Sequence, residues 1–597
     1  MNDSLFEISA LDRYTIQDIM RVHGQTGSES LEYALGYLFS ALANGSLCID
    51  LHDDSFSEKN FFLSGQFIEN YTSGIYSSVI STNECDFKPL IMRKTGNSLY
   101  LYFYRYYSSE RKFEKLLKEK ITNAQDISID TKILDEIKQF QDEKKIALYL
   151  ALTQRFLIVT GGPGTGKTFT AAKIAKYFSE NFYLTHTKKP VIKLTAPTGK
   201  AAKRLSEQIT IELSESDTTI DAGETIHRLL QYKKNTGAFT FNSENTIPAD
   251  LIIVDEVSMI DINLFSSLLD AVSNETTLII IGDRDQLPSV DAGAVLKDLL
   301  PDGFVPSYSS QTIQSLHLPD QVATESFFTN HVVELKKQYR SGEKITVKAA
   351  LVNAGESDMV DAIQEITLSE LSSSGIADDV YFIPVNNHDD YIGFLNYYFR
   401  KYYMNNRYSQ VVTGFENGQS SFADLFDASS ESRILTLLRD GFYGSTGINE
   451  FLLNHYRKSD TKRFHQMSGV PVMITSNDYS NNLFNGESGV ISCDAQAQVK
   501  AFFPSENTEE NFRAISLNFL PSYSTSFSIT VHKSQGSQYK DVFVVLPNDE
   551  TNPLLTREII YTAITRAKEK VFIVGDKNIL KKAISGKITR FSGIGKF

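Results

Sequence analysis

The segment Gly161-Gly162-Pro163-Gly164-Thr165-Gly166-Lys167-Thr168 combines glycines with a lysine and a hydroxyl residue at a spacing that suits phosphate chemistry. Glycines let successive backbone N–H groups close around phosphate oxygens at the positive end of a following helix. Lys167 can reach the β- and γ-phosphates, and the Thr168 hydroxyl can bind Mg²⁺. An apolar run precedes the loop and helix-forming residues follow it. The pattern predicts a strand, a phosphate loop and a helix, and therefore a nucleoside triphosphate site.

Two further apolar strands end in side chains that complement such a site. Residues 251–254 predict a buried strand that delivers Asp255 and Glu256 at its carboxyl end. Because side chains alternate along a strand, we predict that Asp255 holds Mg²⁺ and Glu256 orients or deprotonates the attacking water. The strand 278–281 leads to Gln286, whose amide can hydrogen-bond a γ-phosphate or water. Alternating strands and helices favour a mostly parallel sheet with ligands at the strand ends.

A second α/β unit lies towards the C-terminus and has no phosphate loop of its own. Two such units with one loop predict a nucleotide bound in a cleft whose far wall supplies an arginine, and Arg340 and Arg566 are the candidates. Closure of the cleft would couple hydrolysis to domain movement. From spacing alone, a surface salt bridge explains either arginine equally well.

Other segments offer surfaces rather than catalysis. Residues 197–200 turn after a strand and open a helix with three cations, which suits nucleic-acid phosphates but equally suits solvated surface lysines. Residues 231–242 predict a β-hairpin. Short runs over about 465–522, separated by turn residues, predict a small β-barrel inserted into the second unit.

The composition limits the class of protein. A chain of 597 residues predicts about three or four domains. The net charge of −14 argues against coating nucleic acid by bulk charge and favours a partner that supplies a positive field. Three scattered cysteines form neither a disulfide framework nor a metal-ligand pattern. Without a basic leader or a long apolar run, we expect a cytoplasmic protein with no membrane contact.

The first part of the chain shows no chemistry. The tyrosine-rich stretch 99–104 suits either a buried core or an interface with another protein. Residues 110–130 are rich in both charges and predict a solvated helix that bridges two domains. A helix beginning at residue 133 and extending to about 152 leads into the phosphate-loop strand, and residues 301–329 predict a loop or linker.

Taken together, the ordered motifs resemble those of superfamily 1 helicases and, more narrowly, those of the RecD family of exodeoxyribonuclease V subunits. The resemblance implies an α/β fold with two RecA-like parallel-sheet motor domains, a small N-terminal domain and an inserted SH3-like β-barrel. The implied domains are 1–109 for partner binding, 110–330 as first motor domain and 331–597 as second. The motifs lie at residues 161–168, 194–202, 225–230, 253–261, 282–290, 338–341, 530–536 and 561–567.

The same resemblance implies an ATP- and Mg²⁺-dependent motor that moves 5′ to 3′ along single-stranded DNA from duplex ends. It would work in a heterotrimer with a RecB-like nuclease-helicase and a RecC-like scaffold, in double-strand-break repair and homologous recombination, with nuclease activity in a partner. Gln286 would couple DNA to nucleotide, Arg340 and Arg566 would reach the γ-phosphate, and the hairpin would be a strand-separating pin. The implied DNA track is Pro197, Thr198, Gly199, Lys200, Thr530, His532 and Lys533.

Two departures from the family pattern accompany this resemblance. Family members place an adenine-reading glutamine before the phosphate loop, where this chain has Lys144, with Gln139 and Gln141 nearby; strict use of ATP is therefore left open. Gln538 stands where many members carry a glutamate that contacts the nucleotide sugar. Two alternatives to the helicase subunit are a DNA-stimulated ATPase with a regulatory role and a stand-alone RecD-like helicase, which the short front end disfavours.

Overall fold

Two six-stranded sheets, each with all its strands parallel, form the framework of the chain. Each sheet belongs to one α/β domain, which confirms the predicted fold class of two parallel-sheet motor domains. None of the described helices combines the length and apolar composition needed to span a bilayer. The computed structural model describes residues 6, 8–122, 128–186, 188–213, 220–233, 235–318, 323–339, 343–371, 376–458, 465–478, 480–481, 483–494, 496–505 and 512–595.

The N-terminal domain packs helices on a small sheet with strand order β1-β4-β3-β2. Tyr100 and Tyr102 are 1% and 0% exposed, so the tyrosine-rich stretch belongs to the core. The elements are α1 (Ala10–Val22), α2 (Glu29–Ala43), β1 (Ile49–Asp50), α3 (Asp54–Glu58), α4 (Phe61–Thr72), β2 (Ile80–Ser81), β3 (Leu90–Thr95) and β4 (Ser98–Phe103).

The charged segment after β4 forms helix α5 (Tyr104–Thr122), but the expectation of a solvated helix is wrong. Its apolar residues recur at helical spacing, and Phe113 lies fully buried with its ring 5.3 Å from that of Phe265 in the first motor domain. Glu110 is also fully buried and pairs with Arg93 of the N-terminal sheet at 2.7 Å. Within the charged segment, every third or fourth residue belongs to a buried stripe of the helix. This stripe packs on both the N-terminal domain and the first motor domain.

The first motor domain has the strand order β12-β5-β11-β10-β6-β7, and its central strands are buried along their whole length because helices cover both faces. Its elements are α6 (Thr131–Ile137), α7 (Asp142–Thr153), β5 (Phe156–Gly161), α8 (Lys167–His186), β6 (Ile192–Ala196), α9 (Gly199–Glu212), β7 (Glu224–Thr225), α10 (Ile226–Leu229), β8 (Tyr232–Lys233), β9 (Ala238–Phe239), β10 (Leu251–Val254), α11 (Ile262–Ala271), β11 (Thr277–Gly282), α12 (Val295–Leu299), α13 (Ser310–Leu316) and β12 (Val332–Leu335).

Two local predictions for this domain need correction. The single helix predicted over 133–152 is divided into α6 and α7, because α6 ends at Ile137 with Lys138 as its C-cap and Gln141 is the N-cap of a new helix. The stretch 301–329, predicted as a loop, contains α13, whose N-cap Ser309 accepts a hydrogen bond from the Thr312 N–H. The predicted hairpin is present as the antiparallel pair β8 and β9.

The second motor domain repeats the parallel arrangement with the strand order β13-β14-β23-β22-β15-β21. Its elements are α14 (Glu343–Ala354), β13 (Gln364–Glu365), α15 (Leu368–Leu371), β14 (Val380–Pro384), α16 (His388–Tyr402), α17 (Asn406–Glu416), α18 (Phe422–Ser430), β15 (Ser432–Thr436), α19 (Ser445–Lys458), an inserted sheet of β16 (Val470–Ile474), β17 (Ser488–Cys493), β18 (Val499–Pro504), β19 (Phe512–Ser516) and β20 (Tyr523–Thr525), then β21 (Ser528–Thr530), β22 (Tyr539–Val545), α20 (Arg557–Ile564), β23 (Ala567–Gly575) and α21 (Lys577–Ser585).

The inserted sheet is antiparallel, with the strand order β19-β18-β17-β16-β20. Val472, Ile491 and Phe503 are fully buried in a small core of its own. Within the described residues its two edge strands do not pair with each other, so the SH3-like closure predicted for this segment is not confirmed.

Residues 586–595, here named the C-terminal strap, run back from α21 across the first motor domain to the N-terminal domain. Lys587 pairs with Asp302 at 2.6 Å, and an Arg590 Nη1 donates to the Ser289 carbonyl at 2.9 Å. Farther along, the Leu47 N–H donates to the Phe591 carbonyl at 2.8 Å. The strap therefore links all three domains through hydrogen bonds and ion pairs.

Candidate active site

The phosphate loop lies between β5 and α8 and adopts a conformation that its glycines permit. Gly164 and Gly166 have φ angles of 79° and 89°, in the left-handed region. At Gly161 a side chain is excluded by contact, since a Cβ there would lie 2.5 Å from the Leu335 carbonyl oxygen. The Lys167 Nζ donates to the carbonyls of Gly161 at 2.6 Å and Gly162 at 2.9 Å. The lysine is thus held over the loop, where a phosphate would compete for it.

The paired acids stand at the carboxyl end of β10, as predicted from the strand pattern. Asp255 is 9% exposed, and burial together with neighbouring Glu256 raises the pKa of its carboxyl to about 6. Its Oδ1 accepts the Glu256 N–H at 2.8 Å. Glu256 has a φ of 55°, a left-handed conformation that costs a non-glycine residue about 1–3 kcal/mol and is typical of functional sites. A cation bound at Asp255 would stabilise the ionised form of its buried carboxyl group.

Gln286 and Arg566 approach the same place from different domains. The Gln286 Nε2 donates to Asp283 Oδ2 at 3.0 Å, while its buried Oε1 has no hydrogen-bond partner among the described residues. Arg566 is 3% exposed; its Nε donates to the Thr562 carbonyl at 3.0 Å, and its buried Nη2 likewise lacks a partner within the described part of the chain. Buried polar atoms of this kind normally find partners, so both atoms point to a polar ligand between the domains.

These side chains line one cavity. The first motor domain lines one side, and the other side is lined by Arg566, in the turn after α20, and by the loop before β22. The cavity adjoins an interdomain cleft of about 1140 Å³, with which it shares Pro163, Arg204 and Gln538. The residues around the cavity are Pro163, Gly164, Gly166, Lys167, Thr168, Ala201, Arg204, Asp255, Glu256, Gln286, Gly536, Gln538 and Arg566.

The structure therefore brings together most of the predicted nucleotide residues. Arg340 lies outside the described residues, although the N–H of the preceding Tyr339 donates to the Gly164 carbonyl at 2.9 Å. Sequence reasoning missed two members. Arg204 lines the cavity, and Tyr561, on α20, lines the adjoining cleft and donates from its hydroxyl to Asp283 Oδ2 at 3.2 Å. No local signal distinguishes such a tyrosine from a core residue, because its partner is 278 positions away.

The first part of the predicted DNA track lies at the N-terminus of α9, which faces the second motor domain. The Thr198 hydroxyl caps the helix by accepting the Ala201 N–H at 3.3 Å. The Lys200 Nζ donates to Ser537 Oγ at 2.7 Å, and burial lowers the pKa of this lysine. A Cβ on Gly199 would lie 2.6 Å from Cγ of Phe484 in the inserted sheet. This end of α9 is therefore in contact with the second domain.

The remaining track residues lie at the end of β21 and in the turn that follows it. Thr530 ends the strand, and His532 is partly buried with its pKa lowered by burial and by nearby Arg590. The Lys533 side chain is exposed on the surface. Partial desolvation of its ammonium group, together with the neighbouring cation Arg439, lowers its pKa. The same turn contacts the first motor domain, since Gln535 Nε2 donates to the Leu287 carbonyl at 3.2 Å.

A cavity shared in this way by two parallel-sheet domains defines the class of P-loop motor proteins, in which a nucleotide lies between two halves that can move against each other. Residues 144–292 match the AAA domain family, and residues 525–574 match the UvrD-like helicase C-terminal domain family.

Curated relatives narrow the class. The RecBCD enzyme subunit RecD of Haemophilus influenzae is 31% identical, covering 83% of this chain and 80% of that protein. The RecD subunit of Mycolicibacterium smegmatis is 29% identical over 95% of this chain and 93% of its own. The ATP-dependent RecD2 DNA helicase of Deinococcus radiodurans is 29% identical over 73% of this chain and 49% of its own. A crystal structure of Bacteroides Pif1 bound to single-stranded DNA superposes with a TM-score of 0.37 and 16% identity, covering 74% and 93% of the chains. The chain belongs to the RecD family.

Proposed function

We propose that the chain is the ATP-dependent 5′–3′ DNA helicase subunit of a RecBCD-type complex that acts in double-strand-break repair and homologous recombination. Membership of the RecD family supports this function. The observation that carries it is the single cavity that joins Lys167 of the first motor domain to Arg566 of the second. Because one domain binds the nucleotide and the other contacts it, hydrolysis is coupled to movement between the two domains.

We assign a role to each functional side chain of the cavity. Lys167 would leave the Gly161 and Gly162 carbonyls to bind the β- and γ-phosphates of ATP, with the loop N–H groups around them. Thr168 and Asp255 would hold Mg²⁺, which neutralises phosphate charge when bound, and the raised pKa of Asp255 fits a carboxylate that awaits a cation. Glu256 would orient water. Gln286 Oε1 and Arg566 Nη2 would gain the partners that they lack within the described residues. Arg340 remains a prediction from the sequence.

Contacts between the domains provide the coupling to DNA. The Leu287 N–H, one residue after Gln286, donates to Thr562 Oγ1 at 3.0 Å, and Lys200 donates to Ser537. Both bonds join a segment of the nucleotide site or the DNA track to the opposite domain. Separation of the domains after hydrolysis would break them, and their re-formation would draw the second domain along the strand. We place the DNA phosphates on residues 197–200 and on Thr530, His532 and Lys533, with the hairpin β8–β9 as the strand-separating pin.

The N-terminal domain is proposed to bind the partner subunits, a RecB-like nuclease-helicase and a RecC-like scaffold. Large exposed apolar patches mark protein interfaces more often than isolated exposed residues do. The net charge of −14 also favours partners that supply positive charge for DNA. The exposed large apolar side chains of the N-terminal domain are Leu11, Tyr14, Val22, Phe61, Phe62, Ile75 and Phe87.

We assign nuclease activity to a partner, and the cytoplasmic location stays a prediction.

The alternative of a stand-alone helicase is less well supported, because the match covers 49% of RecD2, whereas it covers 93% of the RecD subunit of Mycolicibacterium smegmatis. The regulatory ATPase is separated from the helicase by experiment. We expect the purified chain, alone and with its partners, to displace a strand from duplexes with a 5′ tail and not from those with a 3′ tail. Translocation or hydrolysis without displacement would favour the regulatory role.

The decisive variant is Lys167→Ala. It removes the phosphate-binding ammonium while the backbone of the loop remains, so we expect DNA-stimulated ATP hydrolysis to fall at least about a hundredfold with the fold intact. Lys176→Ala is the matched control, because Lys176 lies on the same helix, farther from the loop, and pairs with Glu212 at 4.0 Å. Near-normal turnover in Lys167→Ala would exclude the motor.

A further inference from the structure

We infer that Lys144 reads the base of the bound nucleotide and that, because it offers only hydrogen-bond donors, the site accepts GTP at least as well as ATP. This inference rests on the proposed function of the cavity as a nucleoside triphosphate site. It concerns the end of that site beyond the phosphates.

Two aromatic rings flank the outer side of the phosphate loop and remain open to solvent. Phe169, in the first turn of α8, is 41% exposed, and Tyr339 is 48% exposed. The Tyr339 backbone is fixed to the loop through its N–H bond to the Gly164 carbonyl at 2.9 Å. Exposed rings held beside a phosphate cradle provide flat apolar faces on which any nucleobase can stack.

The Lys144 ammonium lies on these rings. Its Nζ is 3.9 Å from the centroid of the Tyr339 ring and 4.9 Å from that of Phe169. It also reaches the loop, since a Cβ on Gly166 would lie 3.7 Å from Nζ. A base that stacks on Tyr339 must either displace this ammonium to its edge or bind with the ammonium nearby. In both cases the Lys144 ammonium would lie beside the base.

Two hydrogen-bond acceptors near the rings, Gln141 Oε1 and Glu143 Oε2, already accept bonds from the protein. The Tyr339 hydroxyl donates to Gln141 Oε1. The Nε2 group of Gln141 can only donate. Glu143 Oε2 accepts the N–H groups of Lys336 at 2.8 Å and Lys337 at 3.4 Å. A lysine has three N–H donors and no acceptor. Within the described residues, the groups around the rings therefore favour a base edge that accepts hydrogen bonds.

This donor surface discriminates between purines. Guanine presents two acceptors, N7 and O6, on one edge, whereas adenine presents the N7 acceptor beside the N6 amino donor. Lys144 satisfies both guanine atoms but leaves the adenine amino group without an acceptor. A glutamine at this position would satisfy adenine instead, because its amide offers one donor and one acceptor. The identity of one side chain thus sets the preferred base.

The test is a comparison of ATP and GTP on the full-length chain. Equilibrium binding of slowly hydrolysed ATP and GTP analogues is measured by calorimetry, and DNA-stimulated kcat/KM is measured for both nucleotides. We expect the wild-type chain to bind and use GTP at least as well as ATP in both measurements. Lys144→Gln should shift the ratio of ATP to GTP at least about tenfold towards ATP in both measurements.

Lys337→Gln is the control. The Lys337 Nζ lies 5.7 Å from the centroid of the Tyr339 ring, so this change also removes a positive charge beside that ring. It should leave the ratio of ATP to GTP unchanged. A wild-type preference for ATP above about threefold, or equal ratios in the two variants, would overturn the inference while the motor function stands. Failure of the wild-type chain to bind either nucleotide would overturn both. The wild-type ratio alone decides the matter if Lys144→Gln does not fold.

Discussion

The first parallel sheet delivers its active groups from the ends of strands, whereas the second domain delivers its own from α20 and the turn that follows this helix. Strands β5, β10 and β11 lead directly to the phosphate loop, to Asp255 and to Gln286. In the second domain, Tyr561 lies on α20 and Arg566 follows it. Groups on the buried strands of one sheet are held at fixed separations, which suits binding of a triphosphate. Groups on a helix of another domain can approach or withdraw as a unit, which suits sensing whether the triphosphate is intact.

The largest test of this division is Arg566→Ala. The arginine is the second domain's charged contribution to the cavity, so its loss should lower kcat about a thousandfold while nucleotide binding by the first domain persists. Arg557→Ala, on the same helix but pointing towards Asp302 at 3.9 Å, is the control. Hydrolysis rates and analogue binding measure the two effects. Equal loss of binding and turnover would contradict a sensing role.

A second test concerns the strap that ties the second domain to the first two. Glu110 is buried and accepts the Gly593 N–H at 2.9 Å, and burial raises its pKa to about 7. A raised carboxyl pKa means that the folded state binds the proton more tightly than the unfolded chain. Stability from this group is complete below about pH 4.5 and is lost as the pH rises through about 7.

We therefore expect the wild-type melting temperature to fall between pH 5 and pH 8, with a contribution from Glu110 on the order of 2–3 kcal/mol. Glu110→Gln should flatten the profile, because the amide stays neutral and can still accept the Gly593 bond. Thermal denaturation followed by circular dichroism at several pH values measures the difference. An equally steep profile in the variant would show that Glu110 is ionised in the folded protein throughout.

The DNA track sharpens the comparison, because it includes groups from both domains. Lys200→Ala should weaken binding of all single-stranded sequences alike and reduce the salt dependence of the affinity by about one unit. Ser537→Ala is the matched control, since it removes the 2.7 Å bond between the domains without removing a cation. Fluorescence anisotropy over a range of salt concentrations gives both slopes. An unchanged slope in Lys200→Ala would exclude a phosphate contact.

The smallest expected effect is that of Tyr561→Phe. The change removes one buried hydrogen bond to Asp283 and should destabilise the protein by about 1 kcal/mol. Because Asp283 also accepts from Gln286, DNA stimulation of hydrolysis should fall more than basal hydrolysis does. A urea titration and the ratio of stimulated to basal rates measure the two. An unaltered ratio would separate Tyr561 from the coupling.

Short-range signals predicted the parts of the fold that short-range physics controls. The apolar run before the phosphate loop and the glycines within it specify β5, the loop and α8 without reference to distant residues. The segment around α5 shows the limit. Its charges concealed Phe113 and Glu110, whose burial depends on Phe265 and Arg93 in two other domains. Propensity along one segment cannot reveal which face another domain will cover.

For the site, the sequence by itself determined which residue types were available: a phosphate loop, paired acids after a strand, a glutamine and two candidate arginines. Only the tertiary structure decided that Arg566 and Gln286 present to one cavity buried atoms without a partner among the described residues, and that Tyr339 and Lys144 stand beside the loop. The reason is physical. Chemical identity and local geometry are encoded within a few residues, whereas burial, pKa and partnership arise when segments hundreds of positions apart remove water from one another.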